Sequence, residues 1–282
     1  MRFYSIAVYL FLYVPIGIII LFSFNSGRHA SDFQGLSLKW YGKALSNPFV
    51  LEALTSSLII AFSAALLSSI MGTTAALALQ RMKGPVKALF DGLIYVSIMI
   101  PGIVIGIATL IALVTVFDLM NPLLASLWPE GEKPLRLSLG YASVIAAHTL
   151  FTMSLVILLV RARIEGMDRS LIEASQDLYA TPAQTFRLIT LPQIFPAILA
   201  GFLLSFTFSF DDFIISFFVA GPNTTLPIYV FSSIRRGITP EVNAIGTMVL
   251  GVSLFLLVAV QLLLRSKNKQ KTNIVASNSS GE

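Results

Sequence analysis

The sequence contains no cysteine and only two histidines, His29 and His148, among its 282 residues. The absence of cysteine excludes disulfide bonds, cysteine-ligated metal sites and a thiol nucleophile. Charged residues are also scarce, because Asp, Glu, Lys and Arg together make up 12% of the chain, against about 25% in soluble domains. A chain with so few charges cannot cover a water-facing surface, which excludes an ordinary soluble enzyme.

Long apolar runs take the place of the missing charges, and 56% of the residues are hydrophobic. A helix needs about 20 apolar residues to cross a bilayer. Six runs of this kind predict an all-α, polytopic membrane protein with six transmembrane helices, the third interrupted by Pro101 and Gly102. The predicted spans are about 5–24, 53–79, 89–116, 141–160, 196–219 and 244–264. We therefore expect a membrane domain over 1–271 and a polar, disordered tail over 272–282.

The basic residues predict how these spans are oriented. An even number of spans places both termini on one side of the membrane, and cytoplasmic loops carry an excess of Lys and Arg. Placing the termini inside puts 12 of the 19 basic residues in the cytoplasm. The net charge of +5 therefore indicates an N-in, C-in topology, and it needs no nucleic-acid partner as an explanation. The first run is long for a secretory signal and lacks a cleavage site, so we expect a retained helix.

The predicted cytoplasmic loop 161–193 carries the signatures of two short helices. Its two capping boxes pair Ser170, as N-cap, with Glu173, and Thr181 with Gln184. The helices would meet at Tyr179, and Pro192 and Pro196 would interrupt the second one. The apolar side chains of such a pair either pack against the spans or dock on a cytoplasmic partner, and the residues alone leave both open.

Two adjacent carboxylates, Asp211 and Asp212, lie within the fifth predicted span, where a charge costs roughly 2.5 to 3.5 kcal/mol on insertion scales. Because neighbouring helical residues point about 100° apart, we do not expect both to face one cavity. Either one carboxylate pairs with a neighbouring helix, or at least one lines a path for a cationic solute beside Phe210. Asp118, at the outer end of the third span, is either interfacial or part of such a path. We expect His148 to be a hydrogen-bonded packing residue.

One segment of the 161–193 loop resembles a known motif. It reads Glu173, Ala174 and Ser175, then, after 13 residues, Ile189, Thr190, Leu191 and Pro192. This spacing resembles the EAA loop of ABC-importer permeases, E-A-A-x3-G-x9-I-x-L-P, with Ser175 and Tyr179 as departures. The resemblance implies docking in a cleft of an ATPase subunit by Ser170, Glu173, Ala174, Asp177, Tyr179, Ile189, Leu191 and Pro192. A glycine suits a left-handed turn, so either the turn at Tyr179 is not left-handed or partner contacts compensate a cost of roughly 1 kcal/mol.

Further segments, at 22–26, 39–41, 209–212 and 233–244, extend the resemblance to nearly the whole chain. Together they are similar to permeases of spermidine/putrescine ABC importers, which implies a MetI-like permease fold in a bacterial inner membrane. The candidate pathway residues, which this resemblance supports, are Asp211, Asp212, Phe210, Asp118 and Trp40. The implied partners are an ATPase dimer that uses ATP and Mg²⁺, a second homologous permease, an external polyamine-binding protein and membrane lipid.

The chain has no P-loop of the form G-x4-G-K-[ST]. We therefore expect it to bind no cofactor or metal and to be a transport subunit rather than an enzyme. The alternatives are a permease for a different organic solute and a secondary transporter that acts alone. An intramembrane protease is disfavoured, because the adjacent Asp211 and Asp212 cannot converge on one point as a catalytic dyad.

Overall fold

The computed structural model describes residues 2–28, 32–129, 132–168, 170–237 and 239–254. Within these ranges the chain is helical apart from its loops and one isolated antiparallel bridge between Asn25 and Leu36. The helices are α1 (Arg2–Ser23), α2 (Lys39–Ser46), α3 (Pro48–Arg81), α4 (Pro85–Met99), α5 (Gly102–Ser126), α6 (Tyr141–Glu165), α7 (Ser170–Asp177), α8 (Pro182–Thr185), α9 (Leu191–Asp211), α10 (Ile214–Val219), α11 (Leu226–Arg236) and α12 (240–254). The predicted all-α class is confirmed.

Five helical segments of the described ranges are long and apolar enough to cross a membrane. They are Phe3–Ser23, Pro48–Arg81, Gly102–Ser126, Tyr141–Glu165 and Pro182–Asp211. Of the sixth predicted span, residues 244–254 are helical and belong to α12, and the rest lies outside the described residues. The predicted tail over 272–282 lies outside them as well.

Two of the predicted spans contain a helix break. In the third, Ile100 is extended before Pro101, as residues that precede proline usually are, and α5 starts at Gly102. In the fifth, α9 ends at Asp211 and α10 begins at Ile214. The expectation that both carboxylates lie on one continuous helix was therefore wrong, since Asp212 has an extended backbone with ψ of 118°.

The contacts divide the chain into two compact units. One is Glu52–Tyr229, and the other contains the described residues of Met1–Leu51 and Val230–Glu282. In the Glu52–Tyr229 unit, the fully buried Val156 of α6 lies against Gly72 of α3 and Gly201 of α9. Glycine at these positions lets the helix backbones approach closely, which is how small residues act between transmembrane helices.

We expect Gly72→Ala to destabilise the protein by roughly 1 to 3 kcal/mol, because the close approach leaves no room for a methyl group. A Cβ at Gly72 would lie 2.8 Å from the Cβ of Val156 and 3.1 Å from the carbonyl oxygen of Met153. Gly92→Ala in α4 is the matched control, since a Cβ there meets nothing within 4 Å. Thermal unfolding in detergent should show a lower midpoint for Gly72→Ala and an unchanged or higher one for Gly92→Ala. Equal shifts would contradict the packing argument.

Candidate functional site

The loop 161–193 folds into the predicted pair of short helices, α7 and α8. The hydroxyl groups of Ser175 and Thr185 are both buried and lie 2.9 Å apart, which ties the two helices together. The capping box of α8 is confirmed. The N–H of Thr181 donates to Oε1 of Gln184 at 2.8 Å, and the N–H of Gln184 donates to Oγ1 of Thr181 at 3.3 Å. The loop is therefore an ordered structure.

The start of α7 differs from the prediction. Ser170 is itself a helical residue of α7 rather than its N-cap. Asp168 takes the capping role, because its Oδ1 accepts a hydrogen bond from the N–H of Ser170 at 2.9 Å. Hydrogen bonds from the hydroxyl and the backbone N–H of Ser170 lower the pKa of Asp168. The Asp168 cap therefore stabilises the loop at pH values above the ordinary pKa of a carboxyl group. This stabilisation is lost as the pH falls through the lowered pKa of Asp168.

The end of the loop also differs from the prediction, since Pro192 and Pro196 do not interrupt the helix. A π-helix, Phe186–Thr190, leads directly from α8 into α9. Pro192 is the second residue of α9, directly after the π-helix, and the helix continues past Pro196. The two prolines therefore follow a change from α-helical to π-helical hydrogen bonding and do not mark the end of a helix.

Tyr179 ends α7 with a left-handed backbone, at φ of 57°. The N–H of Ala180 bonds to the carbonyl of Ser175 at 3.0 Å, and the N–H of Tyr179 to the carbonyl of Gln176 at 2.9 Å. These are the two hydrogen bonds of a Schellman motif. Tyr179 is the one non-glycine residue with positive φ in the described part of the chain, and this conformation costs an L-residue roughly 1 to 2 kcal/mol. The alternative of a turn that is not left-handed was therefore wrong.

The remaining residues that the resemblance implies for ATPase docking differ in their exposure. Glu173, Ala174, Asp177 and Pro192 are exposed, Ile189 is half-buried, and Leu191 packs against the buried cluster that contains Val156. A cavity of about 660 Å³ separates the loop from the ends of α3 and α6. Its lining includes Arg81, Ile164, Glu173 and Phe186. The loop therefore packs only partly on its own helices and leaves its acidic side chains accessible.

A polar cluster surrounds the break between α9 and α10. The buried His148 of α6 has its Nδ1 2.7 Å from Oγ of Ser209. Its Nε2 lies 3.2 Å from Oδ2 of Asp212 and 3.2 Å from Oγ of Ser216. The same Asp212 oxygen accepts the N–H of Ser216 at 2.9 Å. Oδ2 of Asp212 thus lies within hydrogen-bond distance of both a ring nitrogen of His148 and the backbone N–H of Ser216, so the cluster fixes the position of the carboxylate.

A cavity of about 230 Å³ borders this cluster. Asp212, His148, Thr152, Phe151 and Phe208 are among the residues that line it, and 21% of the Asp212 side chain is exposed. The two aromatic rings meet edge to face, with their centroids 6.1 Å apart. A carboxylate beside aromatic rings is suited to bind an ammonium group.

The other predicted pathway residues of this unit lie outside the cavity. Asp211 is exposed at the end of α9, and no cation of the described residues lies within ion-pair distance of it. Phe210 is half-buried and stacks on Phe206, at a centroid distance of 6.0 Å. Asp118 is exposed in the last third of α5. Asp212 is therefore the one predicted pathway residue of this unit that lines the cavity.

Trp40 belongs to the other unit and is buried there. Its indole N–H donates to the carbonyl of Gly27 at 3.1 Å. The ammonium groups of Lys39 and Lys43 lie 5.1 and 5.0 Å from the ring centroid, and Lys43 also pairs with Glu241 at 2.9 Å. The ring of Trp40 therefore already contacts two cations of its own chain.

Two long-range polar contacts were not predicted from the sequence. One joins His148 to Asp212, 64 residues away, and the other is the ion pair between Asp91 of α4 and Arg161 of α6, 70 residues apart. Neither separation follows a helical spacing, so no local pattern could have indicated these pairs.

Comparisons with known proteins agree with this architecture. The family described as "Binding-protein-dependent transport system inner membrane component" matches residues 64–269. The chain is 36% identical over 270 residues to the spermidine/putrescine transport system permease protein PotC of Escherichia coli (strain K12), covering 95% of each chain. It is also 36% identical to the putrescine transport system permease protein PotI of the same organism, covering 94% of this chain and 90% of that one.

A solved structure has the same fold. A bacterial ABC transporter involved in the import of the acidic polysaccharide alginate contains a chain that matches with a TM-score of 0.72 at 16% identity, over 93% of this chain and 92% of that one. The likeness confirms the predicted permease fold, and the relatives confirm the predicted transport subunit. The chain belongs to the family of binding-protein-dependent transport system inner membrane components and is a permease subunit of an ABC importer.

Proposed function

We propose that this permease carries polyamines of the spermidine and putrescine class into the cytoplasm. The observation that carries the proposal is the Asp212 carboxylate, which His148 and Ser216 hold at the edge of a 230 Å³ cavity beside Phe151 and Phe208. A polyamine carries ammonium groups on an apolar methylene chain. The carboxylate and the aromatic faces would bind an ammonium group, and the apolar walls would accept methylenes. The printed names of PotC and PotI support this substrate class.

Other carboxylates of the chain extend the proposed path. Asp211 and Asp118 are exposed, and a carboxylate is costly against lipid, so we place them toward a water-filled path formed with a second, homologous permease. Phe210, next to Asp211, offers a further ring face, and Trp40 contributes as part of the structure that supports the outer loop. The external polyamine-binding protein delivers the solute to the loops on this outer side, and lipid covers the remaining apolar surface.

Energy comes from a partner in the proposed assembly. We place a cytoplasmic ATPase dimer, which uses ATP and Mg²⁺, on the loop 161–193, where Glu173, Ala174 and Asp177 are exposed. ATP binding closes the dimer and moves the loop, and the spans then switch from an inward-facing to an outward-facing arrangement. The excess of basic residues supports cytoplasmic N- and C-termini, which put this loop on the same side as the ATPase.

Reconstitution in liposomes tests the proposal. The permease pair with its ATPase and its polyamine-loaded binding protein should take up radiolabelled spermidine or putrescine, and uptake should require ATP on the ATPase side. Uptake in the absence of the ATPase would instead indicate a secondary transporter. ATP-driven uptake of another organic solute, with none of either polyamine, would overturn the substrate class.

A further inference from the structure

A polar cavity of about 210 Å³ lies where α3 ends, α4 begins and α6 leads into the loop 161–193. Its polar lining comes from four side chains, those of Gln80, Lys87, Arg161 and Glu165. The ends of membrane-spanning helices lie at the level of the lipid headgroups. The volume is several times the roughly 30 Å³ that one water molecule takes in the liquid, so the cavity can admit a phosphate group.

The two cations of this cavity are half-buried and are not fully paired by their own chain. Arg161 donates from Nη1 to Oδ1 of Asp91, but its Nη2 is 4.0 Å from Oε1 of Glu165, beyond hydrogen-bond distance. A guanidinium group has five N–H donors, so most of them find no acceptor among the described residues. No carboxylate of those residues lies within ion-pair distance of Lys87. Because removing an unpaired charge from water is costly, both cations favour an anionic ligand.

The surface around the cavity suits a phospholipid better than a small free anion. Arg81, the last residue of α3, and Lys83, which precedes α4, are further exposed cations at this end. Next to Lys87, α4 presents an apolar face with side chains between 44 and 63% exposed, made of Val86, Leu89, Phe90 and Leu93. Acyl chains would pack on such a face in a membrane, whereas a free anion makes no use of it.

We propose that the cavity binds the phosphate group of an anionic phospholipid. The unused N–H groups of Arg161 donate to the phosphate oxygens, and the ammonium group of Lys87 pairs with their charge. The ion pair with Asp91 holds the guanidinium group in place for this contact. Basic pockets between transmembrane helices bind headgroups of this kind. The bound lipid joins α3, α4 and α6, and it should therefore stabilise the Glu52–Tyr229 unit.

Lys87→Gln removes one cation from the cavity and leaves the ion pair of Arg161 intact. We expect the delipidated, full-length permease with this change to bind dioleoylphosphatidylglycerol about fivefold to tenfold more weakly than the parent. Lys83→Gln is the matched control, since it makes the same change at an exposed residue outside the cavity lining, and it should bind within about twofold of the parent. Glu165→Gln, at an exposed residue where folding should be unaffected, removes the carboxylate from the lining and should bind the lipid about twofold to fivefold more tightly.

Native mass spectrometry of the purified permease, titrated with each lipid, measures the dissociation constant of the first bound lipid. Equal affinities of Lys87→Gln and Lys83→Gln, or weaker binding by Glu165→Gln, would overturn the site. Equal affinity of the parent for dioleoylphosphatidylethanolamine or dioleoylphosphatidylcholine would overturn the anionic class. Displacement of the lipid by an equimolar amount of inorganic phosphate would show that the cavity binds a free anion instead. The assay contains neither polyamine nor ATPase, so its result is independent of the proposed function.

Discussion

Replacing Asp212 by asparagine is expected to lower polyamine uptake roughly tenfold to a hundredfold, which corresponds to the loss of one charge-assisted hydrogen bond of about 1.5 to 3 kcal/mol. Asparagine is the informative substitution because it keeps an acceptor oxygen in the same place. That oxygen can still accept from Nε2 of His148 and from the N–H of Ser216, so the break between α9 and α10 should be preserved. What the variant loses is the negative charge.

The measurement is the initial rate of spermidine uptake in proteoliposomes over a range of binding-protein concentrations. Co-purification with the ATPase and the second permease should be unchanged, and so should ATP hydrolysis in the absence of substrate. If co-purification and basal ATP hydrolysis are both retained, the loss of uptake is due to the solute path and not to assembly of the complex.

Asp211→Asn is the matched comparison, since it makes the same chemical change at the neighbouring residue. Asp211 is exposed, has no ion-pair partner among the described residues and is placed toward the proposed path, so its loss should also reduce uptake without disturbing the His148 cluster. Normal uptake in both variants would remove these carboxylates from the proposed path. Loss of assembly in Asp212→Asn alone would assign that carboxylate a structural role.

The parts of the fold that depend on neighbouring residues could be predicted from the sequence. Continuous apolar runs predicted membrane helices, because their length and composition are local properties. The capping box of Thr181 and Gln184 was predictable for the same reason, since both of its hydrogen bonds join residues three positions apart. At the start of α7 a second possible capping residue, Asp168, lies two residues before Ser170. The sequence pattern alone could not show which of the two caps the helix.

The parts that depend on distant residues could not be predicted in this way. No glycine or proline marks the end of α9 at Asp211, and the extended backbone of Asp212 brings its carboxylate to His148, on a helix 64 residues earlier. The positive φ of Tyr179 was left open for a related reason, because its residue type opposes the conformation that the surrounding hydrogen bonds impose. In both cases contacts between elements outweigh the local preference of the residue.

Replacing Glu173 by alanine is expected to weaken association with the ATPase at least about tenfold, as is typical when one charged partner of a desolvated interface contact is removed. The effect on folding should be small. Glu173 is exposed on α7, the described residues place no cation within ion-pair distance of it, and alanine is the most favourable helix residue. Transport should fall together with association, because the ATPase drives the permease through this loop in the proposed assembly.

Gln176→Ala is the matched control for this prediction. Gln176 is an exposed residue of the same helix, lines the same 660 Å³ cavity and has a side chain of the same length, but it carries no charge. Affinity for the purified ATPase, measured with the full-length permease in nanodiscs, should therefore fall for Glu173→Ala and stay near the parental value for Gln176→Ala. Because salt screens a charged contact, the difference between the two variants should shrink as ionic strength rises. Equal affinities of the two variants at low salt would show that the acidic group of α7 takes no part in docking, and the ATPase would then have to bind elsewhere on the loop.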